Sequence, residues 1–174
     1  MARANRGDHD AFAALYDRRH GAIYRFALQM TGSFDIAEDV TQETFVTLAH
    51  DLSRFDPRRG TVPGYLYGVA RKLLLRRMER NRETLLDDAQ GAMAEERGPL
   101  AGMLQTETVE AVRRAVLALP AKYREAVVLC DLQELSYEEA AAAMGCAVGT
   151  VRSKLNRGRA LLAVKLRAAK GCFA

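Results

Sequence analysis

The sequence predicts an all-α protein of two small helical domains joined by a linker, with a helix-turn-helix in the C-terminal domain. Apolar residues recur at helical spacing along most of the chain, and few segments alternate as strands do. The 174 residues contain only four prolines, and this length suits one ordinary domain or two small ones. An acidic, glycine-containing stretch without an amphipathic stripe interrupts the helices. We therefore place the first domain at 1–85, the linker at 86–106 and the second domain at 107–174.

Three amphipathic helices are predicted in the first domain. The first ends at the Thr-Gly-Ser sequence of residues 31–33. The second begins near Asp35, and Glu38 three residues later fits a capping box. The third begins after Thr61, which can cap it, and continues to about Arg82.

Charge is segregated along the chain. Residues 35–51 contain five acidic residues and no Lys or Arg, whereas residues 71–82 contain six basic residues and one acidic one. The sign then reverses: residues 83–107 contain six acidic residues and one Arg, and residues 148–170 contain seven basic residues and no acidic one. This distribution predicts two surfaces for a polyanion and at least one for a cationic partner.

The second domain begins with two predicted helices separated by Pro120. The first starts near Glu107 and stops at the proline, and the second covers residues 121–132. A helix-turn-helix follows. Ser136 and Glu139 have the spacing of a capping box, and Gly145 can adopt the positive φ of the turn.

The second helix of this motif is predicted to begin near Val148 and to lie in a DNA major groove. We expect four residues to pack inward: Val151, Leu155, Leu161 and Leu162. The outer face carries Gly149, Thr150, Arg152, Ser153, Asn156, Arg157 and Arg159. Arg can pair with guanine and Asn with adenine, so the first of these residues suit base edges. Arg157 and Arg159 suit phosphate contacts. The alternative is a basic amphipathic helix packed on a bundle.

Several classes of protein lack support in the sequence. The three cysteines (Cys130, Cys146 and Cys172) are far apart and form no CxxC, so we predict buried free thiols and no metal site. No catalytic motif or phosphate-binding glycine loop occurs, so we predict neither an enzyme nor a cofactor. No long apolar run occurs, so we expect a cytoplasmic protein without membrane insertion.

Motifs in both halves resemble those of extracytoplasmic-function (ECF) sigma factors of the sigma-70 family. In the second domain the resemblance to region 4 lies in residues 119–120 (LP), 124–127 (REAV), 135–141 (LSYEEAA) and 149–155 (GTVRSKL). In the first domain, residues 37–45 (AEDVTQETF) resemble region 2.2, and residues 65–71 (YLYGVAR) resemble the start of the helix after the promoter-reading loop. The motifs occur in the family's order and at its expected separation.

The resemblance implies the partners. Asp39, Gln42 and Glu43 match the positions that dock on the β′ clamp helices of core RNA polymerase. The second domain would bind the −35 element of promoter DNA as duplex, next to the β flap. The resemblance also implies an anti-sigma factor as a regulator, and we expect the free protein to be a monomer.

The resemblance further implies that residues 54–62 and the helix after them capture the −10 element as a melted strand. The candidate residues are Arg58, Arg59, Tyr65, Arg71, Lys72 and Arg76. Melted bases stack on aromatic side chains, and a basic groove follows the backbone. Phe55 is the other aromatic nearby, and for it we favour a core position. The family often has Trp near position 65 and Asn near position 72, and this chain has neither.

A second hypothesis is a stand-alone helix-turn-helix regulator or a sigma-like adaptor. Such a protein would not need the face formed by Asp39, Gln42 and Glu43. An enzyme is a third hypothesis. Asp39 and Glu43 have the i, i+4 spacing of a metal pair, but no His joins them.

Overall fold

The computed structural model describes residues 9–51, 60–87 and 105–171. Its α-helices are α1 (His9–Thr31), α2 (Phe34–Asp51), α3 (Val62–Asp87), α4 (Gln105–Leu117), α5 (Ala121–Val127), α6 (Tyr137–Met144) and α7 (Val148–Gly171). These described ranges contain no strand, so the all-α prediction is confirmed. Phe55, Arg58, Arg59 and most of the predicted linker lie outside them.

Helices α1, α2 and α3 form the first domain around a fully buried apolar core. Phe26 of α1, Val40 and Leu48 of α2, and Leu66 and Leu74 of α3 are each at most 2% exposed. Burial of such side chains stabilises a domain by roughly 1.5–3 kcal/mol each. The core therefore fixes which faces of α2 and α3 remain for binding.

Two predicted details of the first domain were wrong. The cap of α2 is Ser33 rather than Asp35, because the Ser33 hydroxyl accepts a hydrogen bond from the Ile36 backbone N–H at 3.3 Å. Helix α3 continues to Asp87 rather than ending near Arg82, since the sequence between them contains no helix breaker. Thr61 caps α3 as predicted, accepting from the Gly64 N–H at 3.2 Å.

Helices α4 to α7 form the second domain, and one predicted helix differs in kind. Residues 121–132 are continuous, but their second part, Val128–Leu132, is π-helical. The Gln133 N–H donates to the Val128 carbonyl, five residues earlier, at 2.9 Å.

The predicted inward position of Leu161 was wrong, because its side chain is 37% exposed. Cys130 and Cys146 are free, as predicted, but half-buried rather than buried.

The buried apolar residues of the two domains form one continuous cluster, and polar side chains also join the domains. Arg71 of α3 pairs with Glu125 of α5. The Tyr67 hydroxyl donates to Gln133 at 3.0 Å, and the Gln133 amide donates to Gln29 of α1 at 2.8 Å. Helix α6 lies directly on α3, and the Thr61 hydroxyl donates to Glu139 at 2.6 Å.

Gly158 allows α7 to approach α5 closely. A Cβ at this position would lie 2.7 Å from Val127 Cγ2 and 3.1 Å from the Tyr123 carbonyl oxygen. Val127 is fully buried and its β-branched side chain has few rotamers. We expect Gly158→Ala to lower the free energy of unfolding by about 1–2 kcal/mol, because the overlap outweighs the higher helix propensity of Ala.

Equilibrium urea unfolding measures this loss. Gly149→Ala is the matched control, since a Cβ there would meet nothing within 4 Å, and we expect it to be neutral or slightly stabilising. Equal stabilities of the two variants would contradict the steric explanation.

Candidate DNA- and polymerase-binding surfaces

The helix-turn-helix has the predicted local geometry. The Ser136 hydroxyl accepts from the Glu139 N–H at 3.1 Å, and the Glu139 carboxylate accepts from the Ser136 N–H at 3.0 Å. Gly145 ends α6 with φ 62 and ψ 39, in the left-handed region. This turn leads into α7, whose Val151 and Leu155 are buried as predicted.

The predicted DNA-facing residues of α7 form one exposed face. All seven are exposed: Gly149, Thr150, Arg152, Ser153, Asn156, Arg157 and Arg159. The structure therefore brings them together in the first three turns of one helix, available to a major groove. Their roles on DNA remain predictions.

The three arginines of this face have different intramolecular contacts. The Arg159 guanidinium donates to both carboxylate oxygens of Asp131, at 2.6 and 3.0 Å, and this raises its pKa. The Arg157 guanidinium lies near the Tyr123 hydroxyl and lowers the pKa of Tyr123. Arg152 lies over the Tyr137 ring, 5.5 Å from its centroid. Only Arg159 is thus fixed by an ion pair among the described residues, and this pair anchors α7 to the π-helical turn.

The acidic face of α2 is exposed but not isolated. Asp39, Gln42 and Glu43 are all exposed on one side of the helix. Arg77 of α3 donates to Asp39 at 2.7 Å and to Glu43 at 3.1 Å. Both carboxylates predicted to face a cationic partner already share one cation.

The predicted melted-strand residues are divided between surfaces. Lys72 and Arg76 are exposed, whereas Tyr65 is half-buried. Arg71 faces the second domain, where it pairs with Glu125. Arg76 lines a groove of about 460 Å³ between α2 and α3, together with Glu43, Leu73, Glu79 and Arg80.

Comparisons with known proteins agree with this arrangement. Residues 15–84 match the family described as Sigma-70 region 2, and residues 109–162 match Sigma-70, region 4. The chain is 30% identical to the ECF RNA polymerase sigma factor SigW of Bacillus subtilis over 178 residues, with 96% of this chain and 95% of SigW covered. The chain belongs to the ECF sigma factor family.

Other relatives of this ECF sigma factor differ in length. SigE of Mycolicibacterium smegmatis is 38% identical over 147 residues, which cover 82% of this chain but only 56% of SigE. Among solved structures, the sigma factor RpoE in complex with the anti-sigma factor NepR, from Bartonella quintana, has a TM-score of 0.79 and 25% identity, covering 90% of this chain and 97% of RpoE. That likeness spans both domains.

The contacts of three residues of this sigma factor were not predicted from the sequence. Arg77 lies inside the basic block of residues 71–82, which predicts a surface for a polyanion, and its partners lie 34 and 38 residues earlier, too far for a local signal. Glu125, 6% exposed, directly precedes the apolar run of residues 126–130, which was a usable signal of its burial. Arg124 beside it is half-buried, and the sequence places it only within the motif of residues 124–127. None of the helices in the described ranges is long and apolar enough to cross a membrane.

Glu139 gives the sigma factor an acid-sensitive contact. Its hydrogen bond from Thr61, and then those within the capping box, hold the pKa of the Glu139 carboxyl below its usual range. A carboxyl group whose pKa is lower in the folded state than in the unfolded state stabilises the fold at pH values above the unfolded pKa of about 4.3. This stabilisation is lost as the pH falls through the folded pKa. We expect Glu139→Gln to lose less stability than the wild type between pH 6 and pH 3.

Urea unfolding across that pH range provides the measurement. Glu138→Gln, at an exposed neighbour that makes none of these hydrogen bonds, should keep the wild-type pH dependence. A Glu139→Gln curve parallel to that of the wild type would contradict the assignment.

Proposed function

We propose that this ECF sigma factor is a dissociable subunit of RNA polymerase that directs promoter-specific transcription initiation. The observation that carries the proposal is the presence in one chain of two unlike surfaces. The first domain exposes Asp39, Gln42 and Glu43 beside one another, and the second exposes six polar or basic residues together with Gly149 on its recognition helix. A stand-alone regulator has a use for the second surface only.

Each domain binds one part of the polymerase and one promoter element. Residues 1–85 dock on the β′ clamp helices and bind the −10 element, residues 86–106 link the domains, and residues 107–174 contact the β flap and bind the −35 element. Arg152 and Asn156 read base edges there, since Arg suits guanine and Asn suits adenine. Arg157 and Arg159 hold phosphates and give affinity without sequence preference.

For the −10 element, Lys72 and Arg76 are the candidates that the fold already exposes. Arg71 becomes available only when its pair with Glu125 opens. Tyr65 offers a ring for stacking a melted base, and Arg58 and Arg59, which lie outside the described residues, complete the set.

The same proposal assigns no catalytic role to the chain: it acts in the cytoplasm and lends sequence specificity to the polymerase. Its regulator is an anti-sigma factor, as in the complexes of RpoE with NepR and of CnrH with the cytosolic domain of CnrY. The CnrH structure has a TM-score of 0.73 and covers 96% of this chain.

Binding to core RNA polymerase tests the proposal. The labelled wild-type chain should bind core polymerase from the organism that encodes it, and Glu43→Lys should raise Kd about 10-fold or more, because a lysine faces a cationic partner. Asp17→Lys, at an exposed acidic residue of α1 in the same domain, is the charge-matched control and should leave Kd unchanged. Wild-type binding to DNA without binding to core polymerase would instead favour the stand-alone regulator.

A further inference from the structure

One guanidinium joins the two carboxylates of the acidic face. Arg77 Nη1 donates to Asp39 Oδ2 at 2.7 Å, and Arg77 Nη2 donates to Glu43 Oε2 at 3.1 Å. Asp39 and Glu43 lie one helical turn apart, where two negative charges repel each other. The bridge removes this repulsion and gives both side chains a fixed orientation.

The cation lies beneath the carboxylates rather than beside them. The Arg77 side chain is 25% exposed, compared with 60% for Asp39 and 46% for Glu43. Arg77 Nε is buried and has no hydrogen-bond partner in the described part of the chain, so packing and the two ion pairs hold the guanidinium in place. Its hydrogen bonds, that to Asp39 foremost, raise the pKa of Arg77.

The bridge leaves part of each carboxylate for a partner. It uses Asp39 Oδ2 and Glu43 Oε2, so Arg77 does not occupy Oδ1 of Asp39 or Oε1 of Glu43. Both side chains are more exposed than the arginine that joins them. A partner cation can therefore bind the carboxylates without displacing Arg77.

We propose that Arg77 is a positioning residue for polymerase docking: it braces Asp39 and Glu43 so that their outer oxygens are held in place before the partner arrives. This inference rests on the proposed function. Immobilising polar side chains on binding costs free energy, and a brace that orders them beforehand reduces that cost. The planar fork of Arg suits this bridge, whereas the ammonium of Lys is a point charge on a flexible stem.

Two substitutions separate bracing from simple charge. Arg77→Lys keeps the positive charge and loses the fork, and Arg77→Gln loses both. If Arg77 is a brace, both variants should raise Kd for core polymerase by about 3- to 10-fold. If Arg77 acts only as a charge that weakens the acidic face, the Lys variant should bind like the wild type and the Gln variant should bind more tightly.

The measurement is the Kd for core polymerase by fluorescence anisotropy, with circular dichroism melts as the check of folding. Arg18→Gln, at an exposed arginine of α1, is the charge-matched control and should leave Kd unchanged. The effect of Arg77→Lys should also disappear in an Asp39→Asn, Glu43→Gln background, because the brace then has no carboxylates to hold. If Arg77 had only a structural role, the effect of Arg77→Lys on Kd would persist in that background.

Several outcomes overturn the inference: wild-type affinity in Arg77→Lys, tighter binding in Arg77→Gln, or an undiminished effect in the double-substituted background. If Arg77→Gln does not fold, Arg77→Lys and its double-substituted background decide alone. If the wild type itself does not bind core polymerase, the proposed function fails, which is distinct from failure of the brace.

Discussion

Replacing Arg152 with Ala should reduce discrimination at one base pair of the −35 element by about 5- to 150-fold, which corresponds to roughly 1–3 kcal/mol. Arg152 is exposed on the first turns of α7, and it makes no ion pair among the described residues. Its guanidinium lies over the Tyr137 ring, and such an exposed contact is worth only about 0.5–1 kcal/mol. The side chain is therefore able to exchange Tyr137 for a guanine edge.

Competition binding of duplexes that vary one base pair at a time measures this effect at fixed salt concentration. Arg157→Ala is the comparison: without a phosphate-binding arginine at that position, binding to all duplexes should weaken alike and become less salt-dependent. An Arg152→Ala variant that keeps the wild-type base preference would show that Arg152 binds the DNA backbone instead.

Arg124→Met should lower the free energy of unfolding by about 2–4 kcal/mol, a larger loss than we expect for Gly158→Ala. The Arg124 guanidinium donates to the Met30 carbonyl of α1 at 2.5 Å, to the Leu119 carbonyl at 3.0 Å and to the Leu117 carbonyl. It thus satisfies carbonyls at the C-termini of two helices, α1 and α4, in different domains. A cation near helix C-termini is also favoured by the helix dipoles.

Burial removes water from the Arg124 guanidinium and lowers its pKa. This desolvation opposes part of the stabilisation that the hydrogen bonds of Arg124 provide. Met keeps the length and apolar stem of the side chain, so the loss reports on hydrogen bonds more than on packing. Urea unfolding followed by circular dichroism measures it, and Lys122→Met, two residues away and exposed, is the control. A loss below about 0.5 kcal/mol would show that water replaces Arg124 at these carbonyls.

Local patterns predicted the secondary structure well where the signal was short-range. The Ser136 and Glu139 capping box, the positive φ of Gly145 and the Thr61 cap all follow from neighbours within a few residues. The π-helical turn was not predictable in this way, because residues 128–132 have an ordinary helical composition. The Gln133 side chain that follows this turn bonds to two side chains of the first domain, so the turn belongs to a tertiary contact.

The candidate surfaces were predictable as exposed faces but not as networks. Helical periodicity was enough to place Arg152 and Asn156 outward on one helix, and Asp39 and Glu43 outward on another. The pairing of Arg77 with both acidic residues depends on how α3 packs against α2. Charge blocks in a sequence show where cations are abundant, and only the packed structure shows which of them already have partners.

In vitro transcription from genomic DNA, with mapping of transcript 5′ ends, tests the central claim most directly. Core polymerase supplemented with this chain should start transcripts at a set of sites absent with core alone, each preceded by the same pair of sequence elements at a constant spacing. Arg152→Ala should keep the set but relax the upstream element, and Glu43→Lys should lose the set. Identical start sites with and without the chain, in a sample where the chain is folded, would contradict the account.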